Sequence, residues 1–284
     1  MERILVPIDV MNAALNAVHY AFRIAQRTGA SITFVFRQEP AIAPAASFPY
    51  DSLERQKRGE QLLQLQKLLK HMHQTFKGIN ESAICYSIEE YINEYELLER
   101  VQNLPDCLLI IGASESQNLY LINLLNLTHA PCTILTIPAQ TPFQGIGTIT
   151  LATDFSDRPD KKALQSLFLL ANGFSARLHL MHTGQERMEA RCFRQTVKNL
   201  GLSHLLDSIH HTYHPFSQKD PLQELTWYLK ESNTDLLVLS QNLHTTWSQQ
   251  NVFQEKVYAT PVLIFSSESE VILTPSYQRK SMAE

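Results

Sequence analysis

Two aspartates hold the most informative positions for chemistry. Asp9 closes the run ILVPID and Asp154 closes the run ITLATD. A carboxylate at the end of a strand can accept the N–H groups of the following turn or cap the next helix. Asp154-Phe155-Ser156-Asp157, with Pro159 near a helix start, suits that capping role. A second group is imidazole: His179, His182, His210, His211 and His214 crowd into one stretch. Such a group could bind zinc or sense pH. The spacing is no ligand motif, however, and neighbouring strand residues point to opposite faces. Solvated or hydrogen-bonded histidines are therefore expected, and no metal. Ser114 and Ser116 follow Gly112 like a nucleophile on a turn, but no base is identifiable. There is no GxSxG, no GxxxxGK(S/T) and no HExxH. Cys85, Cys107, Cys132 and Cys192 lack CxxC spacing, and three fall in or beside core strands. Buried, reduced thiols are expected. Nothing among these residues argues for catalysis.

The elements that would position them are written twice. Residues 4–36 read ILVPIDVMNAALNAVHYAFRIAQRTGASITFVF, and residues 149–182 read ITLATDFSDRPDKKALQSLFLLANGFSARLHLMH. The copies are 145 positions apart at the aspartates and 146 apart at Ala25 and Ala171. That spacing means two copies of one domain and not a short-period solenoid.

Strand and helix alternate through each copy. In the first, strands are expected at residues 4–8, 31–36, 82–87, 108–111 and 132–137, with helices at 12–28, 53–76 and 89–103. Gly29 stands where a helix ends, and QEPAIAPAASFPYDS reads as a loop. Leu62, Leu65, Leu69, Met72 and Phe76 form an apolar stripe, read as the face that covers a sheet. A further helical stretch lies between residue 112 and the fifth strand. In the second copy, strands are expected at 149–153, 178–181, 209–213, 236–239 and 262–265. Helices are expected near 161–172, 185–200, 222–231 and 249–258. Short apolar strands separated by helices imply parallel pairing with both sheet faces covered.

The chain has 284 residues, 44% hydrophobic and 18% charged, enough for two domains with their own cores. The expected division is residues 1–142, residues 143–267 and a polar tail at 268–284, with QTPFQGIG (140–147) as linker. The net charge of −4 gives no basic footprint for nucleic acid. No run approaches the roughly 18 apolar residues of a membrane span. Met1-Glu2-Arg3 leads directly into the first strand, so no signal peptide and a cytoplasmic location are expected. Within the tail, Val271-Ile272-Leu273 either docks on the body or frays.

The ordered set of segments resembles the universal stress protein family. The openings ILVPID and TDFS, each followed by a helix, carry the likeness, with the AxxxGA turn of the first copy. So do LLIIG and HAPCTILTIP in the first copy, and DLLVLS and ATPVLIF in the second. The resemblance implies two tandem open five-stranded parallel α/β domains, Rossmann-like, with a switch point beside each first strand. It makes the second and third strands neighbours, which would bring His182 towards His214 at the carboxyl edge. Many family members bind ATP at the switch point. An aspartate at the first strand's end holds the adenosine part, and a G-x-x-G-x9-G-(S/T) loop after the fourth strand holds the phosphates.

This sequence departs from that pattern in one half of the site. Asp9 and Asp154 stand in the aspartate positions. After Gly112, the segment ASESQNLYLINLLNLT has no glycine, and 18 residues lead to Pro131, too few for the full loop. In the second copy Ser240 replaces the first glycine and none follows before Pro261. Between Gly112 and Pro131 and between Ser240 and Pro261 the basic residues reduce to Lys256, well into the last helix. Without a backbone nest, ATP binding is not expected. Candidate ligand-binding residues are Asp9, Gly112, Thr153, Asp154, Ser156 and Ser240. Thr153, Ser156 and Ser240 could line a small polar pocket. The resemblance points to a non-enzymatic stress-response protein with no cofactor, acting through a protein partner or small ligand. The alternative is an adenine-nucleotide switch or weak ATPase, with ATP or AMP held by the aspartates. Fifth strands often pair between subunits in this family, so residues 132–137 and 262–265 could pair within the chain. That would hide two sheet edges. A further homodimer is left open.

Overall fold

The computed structural model describes residues 1–8, 13–37, 48–77, 85–91, 94–104, 106–113, 132–153, 161–182, 203–215, 221–240, 243–244 and 260–265. The chain begins with β1 (Arg3–Ile8), α1 (Ala13–Thr28), β2 (Ser31–Arg37), α2 (Phe48–Lys77), β3 (Tyr86–Tyr91) and α3 (Glu94–Gln102). It continues with β4 (Cys107–Ala113), β5 (Thr133–Pro138), β6 (Thr148–Thr153), α4 (Lys161–Gly173) and β7 (Arg177–His182). The remaining elements are α5 (Ser203–Ser208), β8 (His211–Pro215), α6 (Pro221–Glu231), β9 (Leu236–Ser240) and β10 (Val262–Phe265).

All ten strands join one sheet in the order β3-β2-β1-β4-β5-β10-β9-β6-β7-β8. Each half is parallel, as expected from strand–helix alternation. The halves meet where β5 and β10 run antiparallel, with Thr136 opposite Val262, Leu135 opposite Leu263 and Ile134 opposite Ile264. The strands expected to pair therefore do so, and the sheet is continuous across the chain. The buried Thr136 hydroxyl adds a 3.2 Å hydrogen bond to the Val262 carbonyl at this seam.

Strand alternation divides the core into two layers. One face buries Ile4, Val6, Ile8, Phe34, Ile110, Ile149, Leu151, Leu180 and Val238 under α1, α2, α4 and α5. The other buries Leu5, Val35, Leu109, Ile111, Ile134, Met181 and Leu239 under α3 and α6. On α2, Leu65, Leu69, Met72 and Phe76 are buried, so the apolar stripe is a sheet-covering face. The stacked pair Phe22 and Phe76 (5.5 Å) ties it to α1. Helices α1 and α4 also pack together, tightly enough that a Cβ on Gly173 would lie 3.3 Å from Arg27 Cβ.

Residues 141–147 connect the halves without regular structure. They are nevertheless anchored: Phe143 meets Tyr20 edge to face at 4.8 Å, and Ile146 is buried. Asp235 accepts the N–H groups of Gly147 and Thr148 at 2.8 and 2.9 Å, fixing the entry into β6.

Several boundaries differ from the sequence expectations. The third strand is Tyr86–Tyr91 and not residues 82–87, and α3 begins at Glu94 instead of 89. The β2 ladder pairs Ile32 with Tyr86 through Arg37 with Tyr91, so it takes the acidic residues that look helical in isolation. An edge strand needs one partner and tolerates polar side chains, which hides it from hydrophobic patterning. Strand β8, the other edge strand, is shifted in the same direction by two residues for the same reason. Helix α2 begins at Phe48, within the stretch read as loop. Cys85, expected in a core strand, precedes β3 and is exposed. The helices expected at 185–200 and 249–258, the helical stretch after residue 113, Cys192 and the tail triplet lie outside the described residues.

Candidate functional site

In an open parallel sheet the crevice for a ligand lies beyond the strands' carboxyl ends where the strand order reverses. Here that happens twice, between β1 and β4 and between β6 and β9. The last row of side chains on the first core face at each place decides what the crevice can hold.

In the N-terminal half that row is Phe36, Ile8, Gly112 and Ile137, by the pairings Ile8 with Phe36 and Gly112 with Ile137. It is apolar and buried; Phe36, Ile8 and Ile137 are 6%, 4% and 0% exposed. In the C-terminal half the corresponding row is His182, Thr153, Ser240 and Phe265, by the pairings Thr153 with His182 and Phe265 with Ser240. His182 and Ser240 are 5% and 7% exposed, and Thr153 is half-buried. One fold thus carries a hydrocarbon row at one switch point and two hydroxyls with an imidazole at the other.

The crevices also open at different depths. Pairing of β1 with β4 stops after Leu5 and Leu109, whereas β6 stays paired with β9 to Ala152 and Leu239. The Glu2 carbonyl accepts from Ser31 N–H, so even-numbered residues of β1 bond towards β2 and odd-numbered ones towards β4. Pro7 therefore faces β4 without an N–H to give, and the ladder ends there. The corresponding residue of the second copy, Ala152, keeps its donor.

Ser240 is held by a backbone donor: its Oγ accepts the Leu243 N–H at 3.3 Å, one residue before His244. His244 is buried, and burial pushes its pKa down to about 4. His182 and Ser240 do not form a nucleophile–base pair. His182 on β7 and Ser240 on β9 are separated by β6, hence by two strand spacings or about 10 Å. Direct proton transfer needs about 3 Å.

Of the residues singled out by sequence, Gly112, Thr153 and Ser240 stand at the carboxyl edge, with Thr153 and Ser240 side by side across the β6–β9 switch point. Asp9, Asp154, Ser156, Ser114 and Ser116 lie outside the described residues. The expected approach of His182 to His214 does not occur. His214 pairs with Met181, which places it on the opposite face from His182. His214 instead joins His179 and Tyr228: its ring centroid is 4.7 Å from Tyr228 and 5.9 Å from His179. Tyr228 Oη and His179 Nδ1 are hydrogen-bonded at 2.9 Å. Burial holds both imidazoles below their usual pKa, helped at His179 by the neighbouring His214 and Arg177. His210 and His211 are exposed. Among the described residues no group of three His, Cys, Asp or Glu could hold a metal ion.

Sequence reasoning missed His182 as a neighbour of Thr153 and missed His244. The signal for His182 was present in strand register: it closes the second strand of its copy, where the first copy has Phe36. Nothing in the segment around His244 announces a buried imidazole.

Comparison with known proteins bears on the fold and on the first third of the chain. Residues 1–102 match the universal stress protein family, in agreement with the resemblance carried by ILVPID and the helix after it. None of the functionally curated proteins matches the chain. The structure is similar to that of a universal stress protein from Archaeoglobus fulgidus DSM 4304, with TM-score 0.64 and 13% identity over 93% of this chain and 97% of that one. It is also similar to a putative universal stress protein from Pseudomonas aeruginosa UCBPP-PA14, with TM-score 0.50 and 13% identity over 94% of each chain. The cytoplasmic domain of a prokaryotic cation chloride cotransporter is similar too, at TM-score 0.53 and 12% identity over 93% of this chain and 95% of that one. At such identities these likenesses establish the α/β fold. No helix among the described residues is long and apolar enough to cross a membrane.

Proposed function

We propose that this chain is a cytoplasmic, non-enzymatic stress-response protein, built from two universal-stress-type units at residues 1–142 and 143–267. Its C-terminal switch point binds a small polar molecule, and its N-terminal switch point serves structure. The observation that carries this reading is the contrast between the two last rows, Phe36–Ile8–Gly112–Ile137 and His182–Thr153–Ser240–Phe265. A hydrocarbon row offers a polar ligand no partner for its desolvated groups, while hydroxyls and an imidazole do. The wide separation of Ser240 from His182 supports binding over catalysis. The match of residues 1–102 to the universal stress protein family supports the stress-response role.

The missing glycines after β4 and β9 argue against a phosphate chain, so the ligand is expected to lack one. A second reading is kept alive by Asp9 and Asp154, which follow β1 and β6 directly. In that reading the protein is an adenine-nucleotide switch, and AMP suits it better than ATP.

Native mass spectrometry of the purified chain, followed by titration with ATP, ADP and AMP, separates the two. A bound small molecule other than a nucleotide, with no response to the three titrants, is the expected result. Stoichiometric adenine nucleotide weakened by Asp9→Ala or Asp154→Ala would replace the first reading with the second. A chain that is empty and blind to all three would leave protein contacts as the mode of action.

A further inference from the structure

Cys107 and Cys132 stand side by side in the second core layer. Leu108 of β4 is in register with Thr133 of β5, and each cysteine immediately precedes one of these residues. Adjacent strands lie about 4.8 Å apart, inside the roughly 4.4–6.8 Å between Cα atoms that a disulfide spans. Register also sends both side chains to the same face, among Leu5, Leu109, Val101 and Ile134. The thiols are hydrogen-bonded to each other. A second, independent feature is their place at an end of the sheet. Cys107 is the first residue of β4 and follows the exposed Asp106, while Cys107 and Cys132 are themselves 3% and 2% exposed.

We propose that Cys107 and Cys132 are a reversible dithiol–disulfide pair oxidised by hydrogen peroxide. The thiolate of Cys107 attacks a peroxide oxygen, breaking the O–O bond and leaving a sulfenic acid and one water. Cys132 then attacks the sulfenyl sulfur, forming the S–S bond and releasing the second water. The two thiols lose two electrons and two protons, and the peroxide takes both up. The division of roles follows from the hydrogen bond. Cys132 donates it and is held well above the usual thiol pKa by this bond and by burial, while Cys107 accepts it and is lowered. The thiol with more thiolate character attacks first. The bond closes a ring from residue 107 to 132, which contains Gly112 at the end of β4. This inference does not depend on the identity of any ligand.

The test uses the full chain carrying Cys85→Ala and Cys192→Ala, so that the pair holds the remaining thiols. Reduced protein is treated with hydrogen peroxide under native conditions, quenched, unfolded and alkylated, then measured by intact mass and peptide mapping. The expected product has lost two hydrogens, takes up no alkylating agent, shows one peptide pair linked through Cys107 and Cys132, and reverts with dithiothreitol. With Cys132→Ala added, a sulfenic acid is trapped at Cys107; with Cys107→Ala added, Cys132 stays a thiol. Two free thiols after treatment, or oxidation to sulfinic acid without a link, would overturn the proposal. If the background variant fails to fold, the same map on wild-type protein decides. A Cys107–Cys132 link counts for the pair, and links confined to Cys85 or Cys192, or no link, count against it.

Discussion

Leu135 faces Leu263 across the antiparallel seam that joins the two halves of the sheet. Both are fully buried, and both strands are interior: β5 lies between β4 and β10, and β10 between β5 and β9. Every backbone N–H of an interior strand points at a neighbour, so proline at any position there removes a ladder donor. Leu263→Pro and Ile134→Pro should each lower stability by about 3 kcal/mol or more. Leu263→Val keeps the donor and should cost only about 1 kcal/mol. Urea unfolding monitored by circular dichroism reads both. Native stability in the two proline variants would mean the seam does not hold the halves together.

Ser175 occupies the position that Gly29 holds in the other half, and both have left-handed backbone, at φ 52° and 74°. Glycine adopts that conformation without a Cβ clash, whereas serine is strained by about 1 kcal/mol. Ser175 is exposed, and the turn it closes is held by backbone bonds from Ser175 N–H to Asn172 O and from Ala176 N–H to Ala171 O. Ser175→Gly should therefore stabilise the protein by about 0.5–1 kcal/mol, even after the larger chain entropy of glycine. A thermal melt that falls instead of rising would show the serine side chain supporting the turn.

The same pair of turns marks how far the sequence could be read. The repeated order of strand, helix and strand located β1, α1, β2 and β6, α4, β7 within a residue or two, because each element has a strong apolar period. The pairing of β5 with β10 was legible only through the family resemblance, since no local pattern says which edges meet. The edge strands β3 and β8 slipped by four and two residues because Glu89, Glu90 and His211 give no hydrophobic alternation. At the candidate site, Thr153 and Ser240 could be placed from strand ends alone. His182 could not be joined to them without the register that pairs it with Thr153 and turns His214 to the other face.

Acid should destabilise the fold through His244. Burial lowers its pKa to about 4, against 6.5 for an unperturbed imidazole. Between those values the unfolded chain binds a proton that the folded chain does not, so stability rises with pH across that window. Its contribution is complete above about pH 6.5, declines as the pH falls, and is constant below about pH 4. The full loss from this group is on the order of 3 kcal/mol. His19, His179 and His214 are lowered as well and add in the same direction. Urea midpoints for wild type and His244→Leu at pH 7, 6 and 5 should show a shallower pH slope in the variant. Equal slopes would place the acid sensitivity elsewhere.

The polar row at the second switch point can be tested by rewriting it as the first. Thr153→Ile with His182→Phe gives β6 and β7 the residues that β1 and β2 carry at the same positions, Ile8 and Phe36. The first half demonstrates that such a pair packs beneath this carboxyl edge, so the double variant is expected to keep its far-UV spectrum and cooperative unfolding. Replacing a half-buried hydroxyl and a buried imidazole by hydrocarbon removes the groups that a desolvated polar ligand would need, at roughly 1–3 kcal/mol for each lost partner. Two such losses amount to roughly thirty-fold to ten-thousand-fold or more in affinity. Any small molecule carried by the wild-type chain in native mass spectra should be absent from the variant. The reciprocal change, Ile8→Thr with Phe36→His, should not create binding, because β1 and β4 part after Leu5 and Leu109 and the crevice there is shaped differently. A variant that retains the ligand in full would move the site away from Thr153 and His182, and Asp9 and Asp154 would then be the residues to substitute.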